Sequence, residues 1–256
     1  MRSYTAGIAA VSVALFALGA HAVPINYGNF VGITVSYLQV TEDSGTDPTP
    51  LFGAPNLAGD TLDFNPVSFN SNSTGAGGVD ITDGTLAFMV DAKQNKFIDE
   101  LQFSEAGDFT LAGFGGIGTF ASVTSDLFID IVEVDGNSIN AISIITAMTF
   151  APSDGDWDVF NDGPGPLVQG SWTGSVDVDL TQVLIDEGID FISGVTKVNV
   201  TLDNTLTTLS EDGTSSFIAK KDAKGLSVTA VIPEPSTGLL LGLGMALISA
   251  GRRKSR

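Results

Sequence analysis

The feature that most constrains this chain is an apolar run that turns back on itself as a two-residue alternation. Leu127 to Val134 is a mostly apolar run in which only Asp130 and Glu133 are charged. The chain then reaches Asp135-Gly136-Asn137, and on the way back Ile142, Ile144, Met148 and Phe150 alternate against Ser143 and Thr149. A period of two belongs to a strand with one buried face, and Asp, Gly and Asn tolerate the positive φ of a tight hairpin turn. The stretch therefore predicts a β-hairpin.

The same period recurs along most of the chain. Asn26 to Val40 reads as one strand with Ile33, Val35 and Tyr37 on a face, and Thr61 to Phe69 as a second, placed at a sheet edge by Pro66. Leu86, Phe88 and Val90 share a face. Phe97 to Phe103 leads through Ser104-Glu-Ala-Gly-Asp108 into Phe109 to Gly113, which reads as a hairpin. Val176, Val178 and Leu180 alternate with Asp177 and Asp179, and Val198, Val200 and Leu202 with Asn199 and Thr201. Phe217 to Ala219 and Leu226 to Ile232 flank a turn at 220–225 and predict a last hairpin. Thr41 to Asp60, Asn70 to Gly78 and Pro152 to Pro166 read as loops, the second too polar and glycine-rich to bury anything. Only Gln182 to Glu187 offers a short helix. About ten such strands with frequent turn signals predict an all-β fold, a two-sheet antiparallel β-sandwich of jelly-roll-like kind.

The two ends differ from this body. Met1-Arg-Ser-Tyr is a short cationic region, Ala6 to Leu18 is apolar, and Ala20-His21-Ala22 has the small-x-small form that signal peptidase accepts, so residues 1–22 read as a signal peptide, with its apolar stretch as a signal helix. The far end has three parts. Pro233, Glu234 and Pro235 hold the backbone extended, since each Pro fixes its own φ and pushes the residue before it out of the helical region. Gly238 to Gly251 is an apolar run, and nothing from Thr237 to Ala250 is charged. As a helix that uncharged stretch covers roughly 21 Å of the ~30 Å hydrocarbon core, and Pro235 to Gly251 together just reach the minimum for a single transmembrane helix. Arg252, Arg253, Lys254 and Arg256 then act as a stop-transfer signal and keep the tail in the cytoplasm. The division is thus 1–22, a body at 23–230 and a tail at 231–256.

That order of Pro-Glu-Pro, Ser236-Thr237, Gly/Leu-rich helix and terminal arginines resembles the PEP-CTERM sorting signal, over about the last 25 residues. The resemblance implies an exosortase as processing partner. It also implies a precursor tethered to the inner membrane of a Gram-negative bacterium, then delivery of the body to the cell surface or extracellular matrix. Proteins with such tails are associated with exopolysaccharide and biofilm production.

Composition narrows the chemistry of the body. The chain has no Cys, and its one His, His21, lies in the leader, so the body can build neither thiolate nor imidazole catalysis. Residues 23–232 hold six cations against 29 acids, a net charge of −23 that repels nucleic acid and anionic lipid. A carboxylate pair is the remaining engine, and no pair is set apart by its environment. The chain therefore reads as no enzyme, with a secreted glycoside hydrolase the least favoured alternative.

Two sites remain. Asp154, Asp156, Asp158 and Asp162 alternate along a loop as oxygen ligands for Ca²⁺ do, or simply serve as turn residues. The loop is not an EF-hand, because Val159 and Gly165 stand where that pattern needs Gly and Glu. Trp157 and Trp172, with Phe160, either stack on sugar rings or pack the core. The expectation is an exported, exosortase-sorted surface protein with a structural or adhesive role in the exopolysaccharide matrix. The alternative is a carbohydrate-binding module.

Overall fold

The alternating segments form two sheets. The computed structural model describes residues 23–232 apart from 67, 77, 164 and 222–224. Its strands are β1 (Ile25–Val31), β2 (Val35–Asp43), β3 (Asn56–Ala58), β4 (Thr61–Phe64), β5 (Asn70–Thr74), β6 (Gly78–Ala92), β7 (Glu100–Ala112) and β8 (Phe120–Val134). There follow β9 (Asn137–Ala147), β10 (Thr149–Ala151), β11 (Asp156–Asp158), β12 (Leu167–Asp179), β13 (Val195–Ser210), β14 (Ser215–Lys220) and β15 (Leu226–Val231), with helix α1 (Leu180–Asp186) between β12 and β13. One sheet runs β1-β2-β6-β13-β8-β11, with β9 also on β8; the other runs β10-β12-β7-β15-β4-β3, with β14 on β7 and β5 on β14. All these pairings are antiparallel.

The sheets enclose one core. From the first sheet Val35, Tyr37, Leu86, Phe88, Val90, Leu127, Ile129, Val198 and Leu202 point inward; from the second come Leu62, Phe64, Leu101, Phe103, Trp172, Ile218 and Val228. The predicted hairpin is β8–β9, turning at Asp135 (φ 52) and Gly136 (φ 76). Helix α1 begins where its Asp179 side chain accepts from the Gln182 amide, the usual first-turn cap.

Several boundaries differ from the sequence reading. Asn26 to Val40 is not one strand: the chain turns at 32–34, and Ile33 is 73% exposed. Strand β4 ends at Phe64, before Pro66, and lies between β15 and β3 rather than at an edge. Phe150 leaves the hairpin's sheet and pairs with Gly174 in the other. Ser104 to Asp108 is no turn, because β7 runs unbroken through it against β12. Nor do β14 and β15 pair with each other. They lie end to end along one edge of β7, β14 on 107–112 and β15 on 100–105.

The polar stretch 70–78 holds the largest correction, for it contains β5, whose Ser71 and Ser73 are buried. Ser71 Oγ lies 2.8 Å from Thr208 Oγ1, and Ser73 Oγ 2.8 Å from Ser210 Oγ, across the gap between sheets. Paired hydroxyls satisfy one another, which removes most of the cost of burying them.

Other polar ties join the sheets. Tyr37 Oη donates to the Asp60 carbonyl (2.5 Å) and accepts from the Ala230 amide (3.2 Å). The fully buried Glu42 accepts from the Phe52 and Gly53 amides (3.0 Å each), the Leu51 amide and Tyr27 Oη (2.6 Å), and so shapes the 44–55 loop. Asp60, in the β3–β4 turn, accepts from Thr34 N (2.8 Å), Thr34 Oγ1 (2.6 Å) and Val35 N (3.3 Å). Burial alone would raise the Asp60 carboxyl, but these donors outweigh it and hold its pKa below the usual carboxylate value. A carboxyl with a lower pKa folded than unfolded contributes stability above the unfolded value, about 4, and loses it as pH falls through the folded one. Asp60→Asn is therefore expected to unfold more easily than wild type at pH 7, by about 1 kcal/mol. Urea titrations should show that gap closing as pH is lowered below about 4.

Candidate functional site

The acidic loop is held by its own carboxylates. Asp158 Oδ1 accepts from the Phe160 amide (2.8 Å) and the Asn161 amide (2.7 Å), and its Oδ2 from Asn161 Nδ2 (2.8 Å). Asp162 accepts from the Asp158 amide (2.8 Å) and from Ser153 Oγ (3.1 Å). Burial tends to raise the Asp158 carboxyl, yet the donors from Asn161 and Phe160 bring it below the usual range; Asp156 is raised, by burial and then by the charge of Asp154. Among the described residues no three His, Cys, Asp or Glu side chains converge as metal ligands. The arrangement makes a pair of nested turns whose acids satisfy backbone donors.

Both tryptophans pack the core, which corrects the alternative of sugar-stacking platforms. Trp157 sits on β11, where pairing with β8 turns it inward; it is 2% exposed and stacks on Phe109 with centroids 4.3 Å apart. Trp172 is 1% exposed, edge-on to Phe150 at 5.8 Å. Of the three aromatics only Phe160 is open, at 71%. The exposed Phe114 and Ile117 belong to a neighbouring loop, joined to this region where Gly113 N donates to the Pro166 carbonyl (2.7 Å) and Val159 N to the Thr119 carbonyl (3.2 Å).

A cluster that sequence reasoning missed lies inside the sandwich. Lys220, the last residue of β14, is fully buried. Its Nζ donates to Glu105 Oε2 on β7 and, at 2.5 Å, to Asn204 Oδ1 on β13 of the opposite sheet. The Phe69 and Trp172 rings face Nζ at 5.3 and 5.6 Å. Two glycines make room for these rings: a Cβ on Gly107 would lie 2.4 Å from Trp172, and one on Gly84 would lie 2.7 Å from Phe69. Burial drives the pKa of Lys220 down, against the pull of Glu105. Of the six buried side-chain atoms without a hydrogen-bond partner among the described residues, four are here: Glu105 Oε1, Asn204 Nδ2, Trp172 Nε1 and Ser125 Oγ, the last on the residue paired with Asn204. Reading 104–108 as a turn hid Glu105. The available signal was that Lys220 stands two residues after Ile218, on the same face of the strand.

The sorting motif (Pro233, Glu234, Pro235), the stop-transfer cations and the cleavage residues Ala20 and Ala22 lie outside the described residues. So do the leader and the apolar run. Among the described residues no helix is long and apolar enough to cross a membrane.

Trp157→Ala is expected to lower stability by about 3–5 kcal/mol, the range for emptying a buried Trp site, where a surface platform would change it by less than about 0.5 kcal/mol. Thermal melts of the same protein should be unchanged by millimolar Ca²⁺ or EDTA. A rise in Tm with Ca²⁺, abolished by Asp156→Asn, would place an ion on the loop.

Residues 231–254 match the family model of the PEP-CTERM protein-sorting motif, so the tail carries that motif. The motif implies an exosortase as processing partner and an exported, membrane-anchored precursor. No curated protein matches the chain. Among solved structures, TmCBM61 in complex with beta-1,4-galactotriose aligns at 9% identity over 74% of this chain and 82% of its own, with a TM-score of 0.19. The infectious bursal disease virus Gt strain structure aligns at 10% identity over 87% of this chain and 60% of its own, with a TM-score of 0.10. Likeness at these scores bears on neither fold nor function.

Proposed function

We propose that this chain is an exported surface protein, made as an inner-membrane-tethered precursor of a Gram-negative envelope and freed by an exosortase. Its body serves a non-enzymatic structural or adhesive role in the exopolysaccharide or biofilm matrix. The motif at 231–254 is the observation that carries the reading. The body fits it: β15 ends at Val231, where the matched motif begins, so the sandwich is complete when the tail is reached. Its charge of −23 over 23–232 favours solubility beside a neutral or cationic polymer. A carbohydrate-binding role is left with Phe160 and Phe114 in place of the buried tryptophans.

The tail decides the test. Pro-Glu-Pro presents an extended backbone to a protease cleft, the apolar run holds the substrate in the bilayer, and the cations set its depth. In a host carrying an exosortase, intact-mass measurement of an epitope-tagged chain should show loss of the C-terminal peptide. Pro235→Ala should leave an uncut membrane-bound precursor, deletion of 252–256 should lower processing, and replacing Leu239 to Leu241 by other apolar residues should change little. A wild-type chain that keeps its C-terminal peptide would sink the sorting reading and leave a plain membrane anchor.

A further inference from the structure

Lys220, Asn204 and Glu105 bring an amine, a carboxamide and an acid together in a buried site walled by the Phe69 and Trp172 rings. We propose that Lys220 and Asn204 join as a covalent amide that bridges the two sheets, with Glu105 carrying the protons.

The geometry suits attack. Nζ lies 2.5 Å from Asn204 Oδ1. With a C=O bond of about 1.23 Å, Nζ is therefore no more than about 3.7 Å from the Asn204 Cγ, close to the contact from which such reactions proceed. Burial favours the neutral amine, which is the nucleophilic form. The atoms left unpaired fit as well. A buried ion pair is stable only when its remaining donors and acceptors are satisfied, and here Glu105 Oε1 and Asn204 Nδ2 are not. In the reaction these are the atoms needed, one to move protons and the other to leave.

The steps balance without an oxidant or a cofactor. A proton passes from the Lys220 ammonium to Glu105, and the Nζ lone pair attacks Cγ while Oδ1 takes up the carbonyl electrons, polarised by the Glu105 acid. A second Nζ proton is relayed through Glu105 to Nδ2. The Cγ–Nδ2 bond then breaks, and ammonia leaves. One Nζ–Cγ amide bond has replaced one Cγ–Nδ2 bond, and Glu105 keeps the first proton until it departs with the ammonia as ammonium. A surface cleft lined by Asn65, Pro66, Phe69, Phe217 and Lys220 offers the exit. Once ammonia is diluted into solvent the link does not reverse. Two charged or strongly polar groups become one neutral amide, which suits a core flanked by Phe69 and Trp172.

Peptide mass spectrometry of the full chain tests this whatever its ends have become. Trypsin cuts after Lys197, Lys220 and Lys221, so an unlinked chain yields 198–220, which contains Asn204. In the linked chain Lys220 is an amide and resists trypsin. The expected product is 198–221, about 17 Da lighter than its sequence through loss of ammonia, with no fragment ions from the ring between 204 and 220. Lys220→Arg and Asn204→Ala should give full-mass peptides. Glu105→Gln should yield the cut, full-mass 198–220, and Glu105→Asp should restore the linked product at a slower rate. A wild-type digest giving 198–220 at full mass overturns the proposal. A linked peptide from Glu105→Gln overturns the role given to Glu105.

Discussion

The second sheet depends on β7 running straight. Its thirteen residues bond β12 along one side over their full length, and on the other side they hold β14 and β15 in line. Had the chain turned at Ser104 to Asp108, β14 and β15 would have no common partner and the sheet would split at that point. Gly107 lets β7 pass there, because its missing side chain leaves the place that the Trp172 ring fills. Lys220 pairs with Gly107, and Glu105 faces inward two residues along β7, the diagonal neighbour relation of an antiparallel pair. The polar cluster is thus a consequence of where β14 ends.

The core between the sheets is divided by chemistry. Around Tyr37, Phe64, Phe88 and Phe103 it is apolar and aromatic, and close packing there resists any change of volume. Towards Ser71, Ser73, Thr208 and Ser210 it becomes a run of hydroxyl pairs. Each pair is worth little net free energy, but leaving one member alone would cost more than the pair contributes. Such a seam fixes the register of the two sheets more sharply than apolar contact can, since a shift by one residue orphans every hydroxyl at once.

Much of the architecture was legible in the alternation, because period two is a direct image of the pleat. Leu86, Phe88 and Val90, the Asp135-Gly136 turn and the 182–187 helix all fall where their pattern places them. The failures share one cause. Ser104 to Asp108 and Asn70 to Gly78 are polar and glycine-bearing, so they read as turns and loops, yet both hold strands whose buried polar side chains meet partners far off in the chain. Partners 115 and 137 residues away in the chain supply those contacts, and no local pattern reports them. Trp157 and Trp172 were open between sugar stacking and core packing, and strand pairing decides it by turning the rings inward.

The placement of β15 sets how the body carries mechanical load. It lies inside its sheet, between β7 and β4, and the tail leaves directly from its end. A pull on that end acts along the strand, so the six residue pairs that join Leu226–Val231 to β7 are strained together in shear instead of being peeled singly as at an edge. Strain that passed this ladder would next reach Lys220. There an amide to Asn204 would hand the force to β13, at the middle of the other sheet, and confine unravelling to the residues beyond Lys220.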